Sequence, residues 1–215
     1  MIKLQKLPEP QVLAQSKVAW TTELLNLIAA NQPIPNTLAN RYNQPEVKET
    51  LRLEGREKCM YCESPVRHVS FEHIEHIKPK AKDKYPQLTF EWTNLGLACP
   101  TCNMNKRDTY SEATPFINPY NDDPLNHFVA LGPFVYHKPG DQRAEFTETT
   151  IKLNRPDLVE RRLERLEIVR LLADKVASIA DRALKQNIKD QLAIELESDK
   201  PYSLCATYAF NHLCN

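Results

Sequence analysis

"CMYC" at residues 59–62 and "CPTC" at residues 99–102 place four of the chain's six cysteines in two Cys-x-x-Cys pairs, with 36 residues between them. Each pair reads as a knuckle, and two knuckles bring four thiolates to the corners of a tetrahedron, the donor set of a structural zinc site. The competing arrangement is two disulfides in a secreted protein. Nothing marks secretion, and adjacent knuckles give poor disulfide geometry. Zinc on Cys59, Cys62, Cys99 and Cys102 is therefore expected to staple the stretch between them. Cys205 and Cys214 stand apart and read as core residues.

Between the knuckles, "HVSFEHIEHI" (68–77) is rich in strand formers and "NLGLAC" (94–99) supplies a short partner strand. "PTCNMNKRD" (100–108) then opens a helix with proline in its first turn. The order is knuckle, strand, loop, strand, knuckle, helix. Upstream, "TTELLNLIAA" (21–30) reads as a short threonine-capped helix, and residues 44–58 as a second helix with a stop at Gly55. Downstream, residues 111–154 read as a connecting loop region with turn signals "NPYNDDP" and "KPGDQ". Residues 155–197 are strongly helical, with Asn154 as the expected cap and Asp157 in the first turn. Arg161, Arg162, Arg165 and Arg170 alternate with Glu160, Glu164 and Glu167, the pattern of an exposed, salt-bridged helix face. A short helix is expected over 203–213. The fold class is α+β, mainly α, in four stretches: 1–58, 59–110, 111–154 and 155–215.

With 215 residues and 41% hydrophobic content, the chain can bury a core of ordinary size. No stretch approaches the roughly 20 apolar residues of a membrane helix, and the opening "MIKLQKLPEPQ" lacks the apolar run of a secretory signal. A soluble, cytoplasmic protein is expected. Formal net charge is zero, which argues against a protein that holds nucleic acid by bulk electrostatics alone and leaves local patches as the route. One such patch is "KPKAKDK" (78–84), where Lys78, Lys80, Lys82 and Lys84 face only Asp83. With Lys106 and Arg107 on the next helix, these lysines are expected to contact phosphates.

"IEHIKPK" (74–80) followed by "TFEWTNLGLACPTCNMNKRD" (89–108) resembles the HNH nuclease signature in its zinc-bound form, a two-strand, one-helix metal finger of the ββα-metal type. More narrowly, "KLPEPQ", the IEH-x-x-PK core, "LTFEWTNL", "DDP" and "LNRPDLVERR" resemble the HNH subunit of the Septu anti-phage defence family, which is also found with certain retrons. The resemblance runs from the N-terminus to about residue 170. It implies an endonuclease that acts on nucleic acid, DNA or RNA, with Mg²⁺ or Mn²⁺ as its catalytic ion. It also implies an ABC-type ATPase partner, and retron components in some systems. In it, Asn94 is the central Asn that holds the loop orienting His76. HNH proteins generally have Asp where this chain has Glu75, while the narrower family shares the Glu.

The residues themselves suit that chemistry. Phosphodiester hydrolysis needs a base for water, a cation for the charge on the leaving oxygen, and rigid placement of both. His76, with an ordinary pKa of about 6.5, suits the base. Glu75 and the side-chain oxygen of Asn103 are hard ligands of the kind Mg²⁺ prefers, with His73 as a further candidate. Neighbours on a regular strand face opposite ways, so Glu75 and His76 converge only where the strand ends or bulges; Pro79 favours an ending. Glu72 reads as a solvated strand residue, and His68, His127, His137 and His212 have no constellation around them. A zinc-stabilised nucleic-acid-binding module, or a docking subunit without catalysis, is the alternative.

Overall fold

The computed structural model describes residues 1–66 and 72–213, with the backbone alone for residues 212 and 213. The expectations for His68 and Cys214, and for the side chain of His212, fall outside the described residues. Among those described, the chain forms eight α-helices and two separate two-stranded antiparallel sheets. It is mainly helical, as expected. Among the described residues, no helix is long and apolar enough to cross a membrane.

The first helix, α1 (Gln11–Ala29), begins ten residues before the expected threonine cap. Pro10 precedes it, and the Glu46 carboxylate accepts the N–H groups of Gln11 and Val12 at 2.7 and 3.2 Å. The cap thus comes from a distant residue, while Thr22 lies mid-helix with its hydroxyl donating to the Val18 carbonyl. After α2 (Asn36–Ala39), α3 (Pro45–Gly55) has proline in its first turn and ends on Arg56 in the left-handed conformation.

β1 (His73–His76) and β2 (Leu95–Ala98) pair antiparallel, with Glu75 opposite Gly96 and His76 opposite Leu95. α4 (Pro100–Lys106) follows, completing the expected strand, strand, helix order. The first knuckle closes onto this sheet, since Met60 N–H donates to the Leu97 carbonyl at 2.8 Å. A Cβ at position 96 would lie 2.4 Å from Met60 Sδ, so a larger residue there would displace the buried Met60 side chain.

Residues 111–154 are more ordered than a connecting loop. β3 (Phe128–Leu131) and β4 (Phe134–His137) form a hairpin whose turn uses Gly132 at φ +57°, and α5 (Gln142–Ile151) is capped by Asp141. Asn154 does not cap the next helix. Its amide pairs with both backbone groups of Val135 at 2.8 Å, as a neighbouring strand would. The helical run then divides at residues 179–181 into α6 (Pro156–Ser178) and α7 (Arg182–Glu195), because Asp181 caps a new start by accepting from Leu184 N–H; α8 (Ser203–Leu213) follows. Asp157 lies in the first turn of α6 as expected. Arg161 and Arg170 pair with Glu164 and Glu167 on the exposed face. Arg162 and Arg165 instead turn inward, Arg162 onto the carbonyls of Leu153 and Pro133 and Arg165 onto Glu195. Their alternation with glutamates in sequence does not reveal that every third or fourth position faces the core.

The main core runs from Met1 and Leu4 through Leu51 and Tyr61 to Phe128 and Cys205, with two smaller clusters beside it, one of Leu24, Leu38 and Phe90 and one of Val169, Leu192 and Ala206. The first residues act as a strap over β2. Lys6 Nζ lies 3.5 Å from the centre of the Trp92 ring and donates to Leu95 O at 2.8 Å and to Glu54 at 3.1 Å. The buried Glu54 carboxylate also accepts from Leu7 N–H and the Tyr120 hydroxyl at 2.7 and 2.8 Å. Glu54→Ala leaves a desolvated ammonium without its counter-charge, so thermal unfolding should show a loss of about 3–5 kcal/mol. An unchanged melting curve would mean the strap is held by apolar contacts alone.

Candidate active site

Cys59, Cys62, Cys99 and Cys102 converge as their spacing predicts, with all four Sγ atoms within 4.8 Å of one another. The clustering of all four around one point favours a shared ion over two separate disulfides. Cys62 and Cys99 Sγ are 3.8 Å apart, the edge expected when four sulfurs surround zinc at about 2.3 Å. The donor set and its spacing therefore fit a tetrahedral metal ion.

β1 ends at His76, and its two-residue alternation divides the site into two faces. His73 and Glu75 point toward α4. His73 Nδ1 meets the Asn103 amide nitrogen at 2.9 Å, and Glu75 Oε1 pairs with Lys106 Nζ at 2.6 Å. Tyr61 OH also reaches Glu75 Oε1, at 3.4 Å, so Oε2 carries no hydrogen bond among the described residues. Burial pushes the Glu75 carboxyl up, opposed by the ammonium of Lys106.

His76 faces the other way. Its Nε2 lies 3.0 Å from the Thr89 carbonyl, an acceptor only, so Nε2 carries the proton and Nδ1 keeps a lone pair. The Tyr42 ring packs edge-on against it, with centres 4.6 Å apart. Burial, together with Lys80 and Lys106, lowers its pKa to about 3, far from the ordinary value expected from sequence, and the ring is held neutral. Asn94 fixes the loop behind this arrangement. Its Oδ1 accepts from Lys78 N–H at 2.8 Å, and its Nδ2 donates to the carbonyls of Lys78 and Leu88 at 3.0 and 3.1 Å. The loop carrying Thr89 is thereby pinned at both ends.

The basic residues do not act as one patch. Lys106 is 1% exposed and its ammonium is committed to Glu75 and, at 2.8 Å, to the His76 carbonyl, so it cannot reach a phosphate. Lys80 donates to Tyr42 OH and Ala39 O, and burial lowers its pKa to about 8. Lys78 pairs with Glu112 at 2.8 Å. Lys82, Lys84 and Arg107 are exposed. Lys80, Lys82, Thr89 and Asp108 line a cleft of about 370 Å³ whose floor is apolar side chains of α1. Glu72 precedes the strand and is paired with Arg52. His127 and His137 are half-buried and bonded to Asp141 and Glu148 at 2.6 and 2.8 Å, away from the site.

Tyr42, Tyr61 and Thr89 escape sequence reading. Tyr42 reaches His76 across 34 positions, and no spacing rule marks such a pair. The only available signal was for Thr89, which sits between the strands where the loop had to return.

Comparison with known proteins places the HNH endonuclease family on residues 59–109. The chain is 31% identical over 188 residues to "Septu protein PtuB" of Bacillus thuringiensis, covering 80% of this chain and 71% of that protein. It is 28% identical over 170 residues to "Septu protein PtuB" of Bacillus mycoides (strain KBAB4), covering 65% of this chain and 56% of that protein.

Proposed function

Since the chain belongs to the Septu PtuB family, we propose that it is the metal-dependent nuclease of an anti-phage defence complex and hydrolyses phosphodiester bonds of nucleic acid. The observation that carries this reading is His76, fixed as a neutral Nε2–H tautomer by the Thr89 carbonyl and braced by Asn94. His76 Nδ1 accepts the proton of the attacking water, and the negative charge of a bound phosphate beside it raises the basicity that burial and Lys80 depress in the free protein. Glu75 Oε2 and Asn103 Oδ1, on one face of β1 and α4, would hold Mg²⁺ or Mn²⁺, with His73 orienting Asn103. When bound there, such an ion would offset charge at the leaving oxygen. Lys106 steadies Glu75 and the His76 carbonyl together, tying the two faces. Lys82, Lys84 and Arg107 contact phosphates from the exposed rim. Cys59, Cys62, Cys99 and Cys102 hold structural zinc and take no part in hydrolysis.

The second reading is a docking or nucleic-acid-binding subunit without catalysis. It is favoured by the 1% exposure of Glu75 and its ion pair with Lys106, which compete with a divalent ion for the carboxylate.

A regulating partner suits the molecule. Ile168, Leu171 and Ile194 are each about half exposed on α6 and α7, around a groove of about 490 Å³. An ABC-type ATPase subunit docking there restrains the nuclease. The test is incubation of the purified chain, alone and with that ATPase, with DNA and with total RNA in Mg²⁺ or Mn²⁺. Weak cleavage alone, a co-purifying assembly and divalent-dependent cleavage under nucleotide control are expected. Binding without cleavage under every condition would establish the second reading. Strong multiple-turnover cleavage by the lone chain, unaffected by ATPase and nucleotide, would remove the regulating partner.

A further inference from the structure

Arg155 immediately precedes α6, yet its guanidinium reaches back to the cysteine cluster. Nη1 lies 3.6 Å from Cys102 Sγ and Nη2 lies 3.9 Å from Cys62 Sγ, so one side chain touches a sulfur from each knuckle. A second connection also starts from Cys62, and Ser64, Arg155 and Tyr202 line one cavity. Cys62 Sγ is 3.1 Å from Ser64 Oγ, which is 3.0 Å from the hydroxyl of the buried Tyr202, just before α8. A metal-bound thiolate only accepts, so Ser64 donates to Cys62 and accepts from Tyr202. Around this second connection, Lys58 Nζ donates to the carbonyls of Ser198 and Lys200 at 2.6 and 2.9 Å, and Ser203 Oγ donates to Glu63 at 2.7 Å.

Four thiolates around one Zn²⁺ leave two uncompensated negative charges in a buried place. A guanidinium against two of the sulfurs offsets one of them, and such outer partners govern metal affinity. We propose that Arg155 and Tyr202 are positioning residues of the metal site, so that metal occupancy of the knuckles and docking of the C-terminal helices are one coupled equilibrium. The proposal rests on the reading of the four cysteines as a zinc site. The C-terminal helices are then a closure of the finger as well as a surface for partners.

The test uses the full chain and three variants, Arg155→Gln, Tyr202→Phe and Arg161→Gln, the last lying in the same region but paired with exposed Glu164. Zinc content is measured first, then the rate of zinc transfer to a chromogenic chelator. Arg155→Gln is expected to lower zinc affinity about 10- to 100-fold, with Tyr202→Phe smaller and Arg161→Gln unchanged. In the cobalt-substituted protein, the thiolate-to-metal charge-transfer band should shift in Arg155→Gln alone. Should that variant fail to fold, the wild type still decides. Chelation of its metal should raise hydrogen exchange in residues 155–165 and 198–204, and unchanged exchange there would overturn the coupling. A wild-type protein without zinc overturns the zinc reading and the proposal together. Zinc in every variant with equal release rates and an unmoved cobalt band overturns the proposal alone.

Discussion

Replacing His76 by alanine is expected to lower the cleavage rate about 10²- to 10⁴-fold while leaving nucleic-acid binding and zinc content intact. His76 presents one nitrogen to a backbone carbonyl and keeps the other with its lone pair, and no other histidine joins this arrangement among the described residues. Its ring contributes little to the main core, since its partners are the edge of Tyr42 and the Thr89 carbonyl. Loss of rate without loss of fold is therefore the specific outcome. Single-turnover cleavage, with metal content measured on the same sample, checks it. A variant that retains wild-type rate removes His76 from the role of base.

Removal of the cysteine-bound metal should have the larger effect on the fold. Structural zinc contributes about 10–16 kcal/mol in small fingers, against a total stability of about 5–15 kcal/mol for an ordinary domain. The sheet of β1 and β2 has only four residues per strand and leans on the first knuckle through the Met60 to Leu97 hydrogen bond. Cys62→Ser, or chelation of the wild type, should abolish cooperative unfolding and open the finger to proteolysis. An unchanged melting transition in Cys62→Ser would show that the protein core alone holds the knuckles together.

What could be read from sequence was local. The paired cysteines, the Glu75 and His76 doublet and Asn94 stand close enough along the chain for their spacing to carry the information. The structure unites the cysteines and sets Asn94 on the loop behind His76. The errors have more than one cause, and the first is that sequence marks a residue's chemistry but neither its burial nor its distant partners. Lys106 reads as one more basic residue, whereas its position on α4 directs it under β1. The start of α1 was hidden because its cap, Glu46, comes from 35 residues away. Arg155 escaped because its sulfurs lie 53 and 93 positions distant. The hairpin of β3 and β4 was legible in principle, since Gly132 falls between two apolar runs. The division between α6 and α7 was hidden by the absence of Gly or Pro, with only Asp181 to announce a new start.

The clasp between Lys58 and the carbonyls of Ser198 and Lys200 also orders events during synthesis. Its two sides are 140 and 142 positions apart, so at about 5–20 residues per second the first knuckle waits roughly 7–28 s on the ribosome before its partners exist. Early in that interval Cys99 and Cys102 follow Cys59 and Cys62 by 40 positions, and the Thr89 carbonyl that fixes the His76 tautomer follows His76 by 13. A nascent chain therefore carries the whole nuclease motif well before the enclosing contacts can form. Translation stalled between residues 110 and 198 would release a finger without its clasp, and the cell would meet it as a substrate for proteolysis before it met it as a nuclease.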